Sequence, residues 1–123
     1  MDEIRYGVIG TGMMGVEHIA NVNALPGARV VAIADPHEPS RDAGAAAAAD
    51  PVSVYADHRE LLAAGECDAV VIASPNMTHV DVLADVLATD VHVLVEKPLC
   101  TTVDDCERVL EMAADRQAMV WVG

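Results

Sequence analysis

A doubly wound α/β fold is predicted by three observations. Short apolar runs alternate with segments of helical spacing along the whole chain. The first run empties into Gly10-Thr11-Gly12-Met13-Met14-Gly15, a G-x-G-x-x-G turn that opens a helix. The second run closes on Asp35, twenty residues beyond Gly15. Alternating strands and helices connect through right-handed crossovers, which give a parallel sheet covered on both faces. The glycine turn and the acidic residue at that distance are the marks of a dinucleotide-binding, Rossmann-type sheet. Six strands with the turn after the first predict the order 3-2-1-4-5-6, in one domain over residues 1–123.

The elements follow in order. Strand one is Ile4 to Ile9, nearly all apolar, as a central parallel strand is. Helix one runs from Met14 to Leu25, where Pro26-Gly27 stops it. Strand two is Arg29 to Ala34. Helix two spans Ser40 to Ala49, an alanine tract with high propensity and little bulk, ended by Asp50-Pro51. Strand three is Val52 to Tyr55. Asp57 then reads as an N-cap, and Glu60 stands at capping-box spacing, for a helix ending near Gly65. Strand four is Asp68 to Ala73 and helix four Thr78 to Ala88. Strand five is Val91 to Glu96. Helix five covers Val103 to Arg116, capped by Thr102, with Asp104, Asp105 and Glu107 suiting the dipole of its first turns. Strand six is Ala118 to Val122.

Composition narrows the function classes. The 123 residues carry a net charge of −13, which argues against nucleic acid and anionic membrane surfaces as partners. The acidity fits adaptation to high salt and an ordinary soluble acidic protein alike. With no Phe, the core must be Val, Ile, Leu, Ala and Met. Cys67, Cys100 and Cys106 form no C-x-x-C pair and fit a reducing, cytoplasmic setting. The first residues carry Asp2 and Glu3, so neither a leader nor a spanning helix is expected. His18, His37, His58 and His92 lack metal-ligand spacing, and no metal is expected.

The candidate site lies where the strand order reverses, across the carboxyl ends of strands one and four. Gly10 permits the tight turn, Gly12 lets a pyrophosphate approach the backbone, and Gly15 lets the helix pack near the strand. The unpaired N–H groups at Met13, Met14 and Gly15 face the phosphates. The side chains of Met13 and Met14 are expected to pack. Asp35 accepts the adenosine ribose hydroxyls and repels a 2′-phosphate, so NAD is favoured, with NADP as the alternative if Arg41 folds over the ribose. Ser74-Pro75-Asn76-Met77-Thr78-His79 follows strand four beside the pyrophosphate and second ribose, where Asn76 or Thr78 could instead serve as a helix cap. Glu96-Lys97-Pro98-Leu99 follows strand five on the same side. Lys97 is the only lysine of the chain, placed where nicotinamide and substrate would meet. Its ammonium can hydrogen-bond a ribose or a substrate hydroxyl. A cis bond at Pro98 would aim it into the cleft.

Gly7-Val8-Ile9-Gly10-Thr11-Gly12, Ala34-Asp35-Pro36, Ser74-Pro75-Asn76 with His79, and Glu96-Lys97-Pro98-Leu99 together resemble the cofactor domain of the glucose–fructose oxidoreductase, inositol dehydrogenase and rhizopine-catabolism (Gfo/Idh/MocA) family. The glycine turn is generic, whereas the Glu-Lys-Pro after strand five is much more specific. The resemblance implies NAD(P)-dependent oxidation or reduction of sugars, polyols and their derivatives, in a homo-oligomer. It places Lys97 near the reacting carbon as the catalytic residue, and Asn76 and Glu96 near the nicotinamide ribose. It also implies a second, α+β domain whose Asp-x-x-x-His pair supplies an acid/base histidine. No histidine here follows an aspartate by four positions. The chain therefore reads as half an enzyme, inactive alone. Two rival readings are an NAD-dependent glycosidase of the same fold and a stand-alone NAD-binding module.

Overall fold

The computed structural model describes residues 3–123; Met1 and Asp2, part of the acidic start, lie outside the described residues. Six parallel strands form one sheet in the order β3-β2-β1-β4-β5-β6, as the sequence predicts. They are β1 (Ile4–Ile9), β2 (Ala28–Ala34), β3 (Ser53–Tyr55), β4 (Ala69–Ile72), β5 (His92–Val95) and β6 (Val120–Val122). The helices are α1 (Met13–Asn23), α2 (Glu38–Ala47), α3 (His58–Ala63), α4 (His79–Leu87) and α5 (Val103–Ala113).

Alternation along the strands divides the core between two faces. Val8, Ile33 and Val71 point to one side, where they meet Ile19 and Val22 of α1 and the small Ala45 and Ala47 of α2. Their neighbours Ile9, Ala34, Val70 and Ile72 point to the other, against Leu61 of α3, Leu83 and Val86 of α4 and Val109 of α5. Successive side chains of a strand face opposite ways, so apolar runs bury both faces. No helix of the described residues is long and apolar enough to cross a membrane.

The element ends depart from expectation for local reasons. Helix α2 starts at Glu38, ahead of Ser40, because Pro39 is accepted in a first turn, where its missing N–H costs nothing. It stops at Ala47; Ala48 is already extended. Asp57 caps α3 by accepting from the Arg59 N–H at 2.8 Å, but no Glu60 bond completes a box. Thr102 caps α5 through the Asp105 N–H at 3.1 Å. Helix α5 ends at Ala113, three residues early, where Arg116 turns to backbone carbonyls: Nη2 donates to Thr89 at 2.8 Å and to Val91 at 2.6 Å. A 3₁₀ turn, Asn76–Thr78, precedes α4. Neither Asn76 nor Thr78 caps the helix; the Thr78 hydroxyl donates to Ser74 Oγ and the Pro75 carbonyl, each at 2.7 Å.

Candidate functional site: a dinucleotide cleft

The carboxyl ends of β1, β2 and β4 open into a cleft of about 810 Å³, walled by Gly10, Gly12, Met13, Met14, Asp35 and Ser74 among others. The three glycines of the turn serve different ends. Gly10 has φ of +92°, and a Cβ there would lie 2.5 Å from the Ser74 nitrogen. The turn thus presses against the backbone leaving β4. At Gly15 a Cβ would stand 1.8 Å from the Gly10 carbonyl oxygen, so this position lets α1 close onto the turn. At Gly12 a Cβ would meet nothing within 4 Å. The protein itself does not need that space; a ligand approaching the backbone does.

The first backbone bond of α1 runs from the Val16 N–H to the Gly12 carbonyl at 3.0 Å. The N–H groups of Met13, Met14 and Gly15 precede it and face the cleft end of the helix, where the dipole favours an anion. Few cations compete for that role. Arg59 is the only arginine in the cleft wall among the described residues, and it is engaged with Asp57 at 2.7 Å. That pairing holds the Asp57 carboxyl well below the ordinary carboxylate range. The Met13 and Met14 side chains, expected to pack, instead stand exposed at the mouth, because the helix begins at Met13 and points its first turn outward.

Asp35 is fixed by the turn it serves. Its Oδ2 accepts the Thr11 N–H at 2.9 Å and its Oδ1 the His37 N–H at 2.8 Å. Thr11 is buried, and its hydroxyl donates to the Ser40 carbonyl at 2.6 Å, so α2 helps set the turn. Each carboxylate oxygen keeps a lone pair for a ribose hydroxyl. Arg41 does not reach over the cleft: Nη1 donates to the carbonyls of Asp35 and Pro36 at 2.9 and 3.1 Å. The hydrogen-bonding and steric demands of a dinucleotide are thus met at the turn, the helix end and Asp35.

The second half of the predicted set lies past the cleft wall. Asn76, Glu96, Lys97 and Pro98 do not line the cavity, although β5 ends beside β4, where the Glu96 N–H donates to the Ile72 carbonyl at 2.9 Å. Lys97 is exposed, and among the described residues no ion pair engages it. The Lys97–Pro98 peptide is cis. His79, expected at the cofactor, is instead fully buried, with Nδ1 at 2.8 Å from the Pro98 carbonyl and Nε2 at 3.0 Å from that of Ser74. It holds the loops behind the cleft because it opens α4, whose inner face packs on the sheet.

Sequence reasoning missed Thr11, and it missed His18, whose Nε2 lies 2.6 Å from Glu96 Oε1 across 78 residues. It also missed His37, Ser40, His58 and Asp81 in the cleft wall. Among these only the loop after β3 carries a local signal, Asp57, which caps α3 and also lines the cleft. No cluster that could hold a metal occurs among the described residues. A second depression, about 650 Å³, lies at the opposite ends of the strands beside Arg116, whose Nη2 is occupied by the carbonyls named above.

Fold and cleft together define a dinucleotide-binding domain of the doubly wound class. Residues 4–123 match the Gfo/Idh/MocA oxidoreductases with their NAD-binding Rossmann fold, and the chain belongs to that family. Inositol 2-dehydrogenase 1 of Saccharopolyspora erythraea is 40% identical over 117 residues, which cover 93% of this chain and 35% of that protein. The rhizopine catabolism protein MocA of Rhizobium meliloti is 31% identical over 123 residues, covering 38% of its own length. Among solved structures, myo-inositol dehydrogenase of Lactobacillus casei, in complex with NAD(H) and myo-inositol, superposes with a TM-score of 0.93 at 32% identity. That match covers 98% of this chain and 36% of the other. The chain thus spans little more than a third of the length of the relatives it matches.

Proposed function

We propose that residues 1–123 form the NAD-binding domain of an oxidoreductase that moves a hydride between nicotinamide and a polyol or sugar, with inositol-like cyclic polyols as the leading substrate class. The observation that carries the cofactor half is the open space at Gly12 beside unpartnered helix N–H groups and an anchored Asp35. The substrate half is supported by the relatives named as inositol dehydrogenases.

In this reading the N–H groups of Met13, Met14 and Gly15 bind the pyrophosphate, with Gly10 and Gly12 shaping its approach. Asp35 takes the adenosine ribose hydroxyls and disfavours a 2′-phosphate. Ser74, Asn76 and Glu96 serve the nicotinamide ribose. When bound, the nicotinamide supplies the two-electron acceptor or donor, while the protein orients it. Lys97 is the catalytic residue: its ammonium holds the substrate hydroxyl and helps move the proton. The partner acid/base histidine implied by the family resemblance has no counterpart in this sequence, so turnover requires what the longer relatives add.

Calorimetric titration of the chain with NAD and NADP at one salt concentration tests the reading. NAD is expected to bind more tightly. Tighter NADP binding overturns the role of Asp35, and binding of neither overturns the site.

A further inference from the structure

The catalytic lysine of the proposed function is exposed, yet the residue on each side of it meets a histidine from a distant element, through its side chain at Glu96 and through its backbone carbonyl at Pro98. Before it, the Glu96 carboxylate lies 2.6 Å from His18 Nε2, with both side chains 19% exposed. His18 belongs to α1, the helix that the glycine turn opens. After it, the Pro98 carbonyl lies 2.8 Å from His79 Nδ1, and the other nitrogen of that ring lies 3.0 Å from the Ser74 carbonyl. His79 is fully buried and opens α4, next to the loop that leaves β4. Carbonyl oxygens only accept. The ring donates to both as imidazolium and to one when neutral, so these contacts are polar and directional. Burying a polar ring at 0% exposure is costly without such partners. An apolar side chain would fill the space without that cost, and it would leave the Ser74 and Pro98 carbonyls unjoined.

We propose that His18 and His79 are positioning residues that bracket Lys97. His18 ties its approach to the helix of the glycine turn, and His79 ties its exit to the Ser74 loop. The two segments that receive the cofactor thereby set where the lysine stands. The proposal rests on the cofactor reading above.

Because Lys97 is the only lysine, its amine can be read alone, with the N-terminal amine as internal control. Acylate the 123-residue chain with an N-hydroxysuccinimide acetate, with and without NAD, and quantify both amines by mass spectrometry. If only free protein reacts at Lys97, NAD at ten times its dissociation constant slows labelling about tenfold. ADP, which lacks the nicotinamide end, is expected to leave it unchanged. His79→Leu and His18→Leu, each at ten times its own dissociation constant for NAD, are expected to lose most of that protection, to within about twofold of the unliganded rate. ADP affinity should be unchanged in both. A variant in which the ring only fills space would keep the protection. Full protection in both variants overturns the bracket, as does unprotected Lys97 in unmutated chain that binds NAD by calorimetry. Absence of NAD binding in the unmutated chain overturns the cofactor reading itself, and the bracket with it. Should His79→Leu fail to fold by circular dichroism, His18→Leu decides the question from the other side.

Discussion

Gly12→Val separates a ligand's space from the protein's own. Gly12 is the N-cap of α1, with φ −71° and ψ −162°, backbone that any L residue adopts. Its Cβ would meet no atom within 4 Å. The folding cost is therefore little more than a poorer cap, about 0.5–1 kcal/mol, or roughly 2–5 °C in Tm for a domain of this size. The binding cost is different in kind, because the branched side chain stands where the pyrophosphate must approach the N–H groups of Met13 and Met14. Losing two charge-assisted bonds worth about 1.5 kcal/mol each removes roughly 3 kcal/mol, more than about a hundredfold in Kd. Gly15→Ala is the counter-experiment. Its Cβ would press within 1.8 Å of the Gly10 carbonyl oxygen and 2.8 Å of its carbon, both backbone atoms that cannot rotate away. Overpacking of that kind costs about 1–3 kcal/mol or more in stability. Thermal melts and NAD calorimetry on both variants give the comparison. Gly12→Val is expected to melt near the unmutated chain and bind NAD barely, with Gly15→Ala losing stability first. If Gly12→Val loses stability as Gly15→Ala does, or keeps its NAD affinity, the space at Gly12 is not the cofactor's.

Other outcomes follow from the same geometry. Asp35→Ser should weaken NAD and raise NADP affinity relative to it, since the repelling carboxylate is gone; an unchanged NAD-to-NADP ratio in calorimetry refutes this. Asp57, held below its ordinary value of 3.8 chiefly by the Arg59 side chain, stabilises the fold above the unfolded carboxylate range and loses that contribution as pH falls below that range through its lowered folded value. Asp57→Ala should therefore cost about 1 kcal/mol at pH 7 and flatten the acid limb of the stability profile; a parallel shift at every pH counts against it. Burial pushes the Cys67 and Cys100 thiols up to about 11, so alkylation at pH 7.5 should be slow at both until the protein is unfolded; rapid modification of the native chain contradicts that. The chain alone should bind NAD and reduce it with no sugar or polyol, whereas in a protein that also carries what the longer relatives add, Lys97→Met should slow hydride transfer with NAD affinity within a few-fold. Nicotinamide absorbance checks both, and turnover by the 123 residues alone would make them a complete enzyme.

The strand order, and the placing of the glycine turn beside Asp35, were legible in the residues alone. Both rest on local chemistry: apolar runs short enough for strands, a glycine turn between strand and helix, and a carboxylate at the next strand's end. The turn and Asp35 lie within one βαβ unit, where spacing along the chain fixes spacing in space, and the strand order follows from the same crossover repeated along the chain. Helix ends were less legible, because Pro39 was accepted inside a first turn and Arg116 found carbonyls outside its helix. The tertiary structure alone decided the rest. That Asp35 anchors the turn through Thr11, that Arg41 is tied to the loop backbone, and that His79 lies beneath the cleft all depend on partners brought together by the sheet. His18 and Glu96 are the clearest case. They are 78 residues apart, on a helix and a strand end whose meeting no local pattern encodes, because it arises only when β5 closes beside β4 and α1 packs across the sheet.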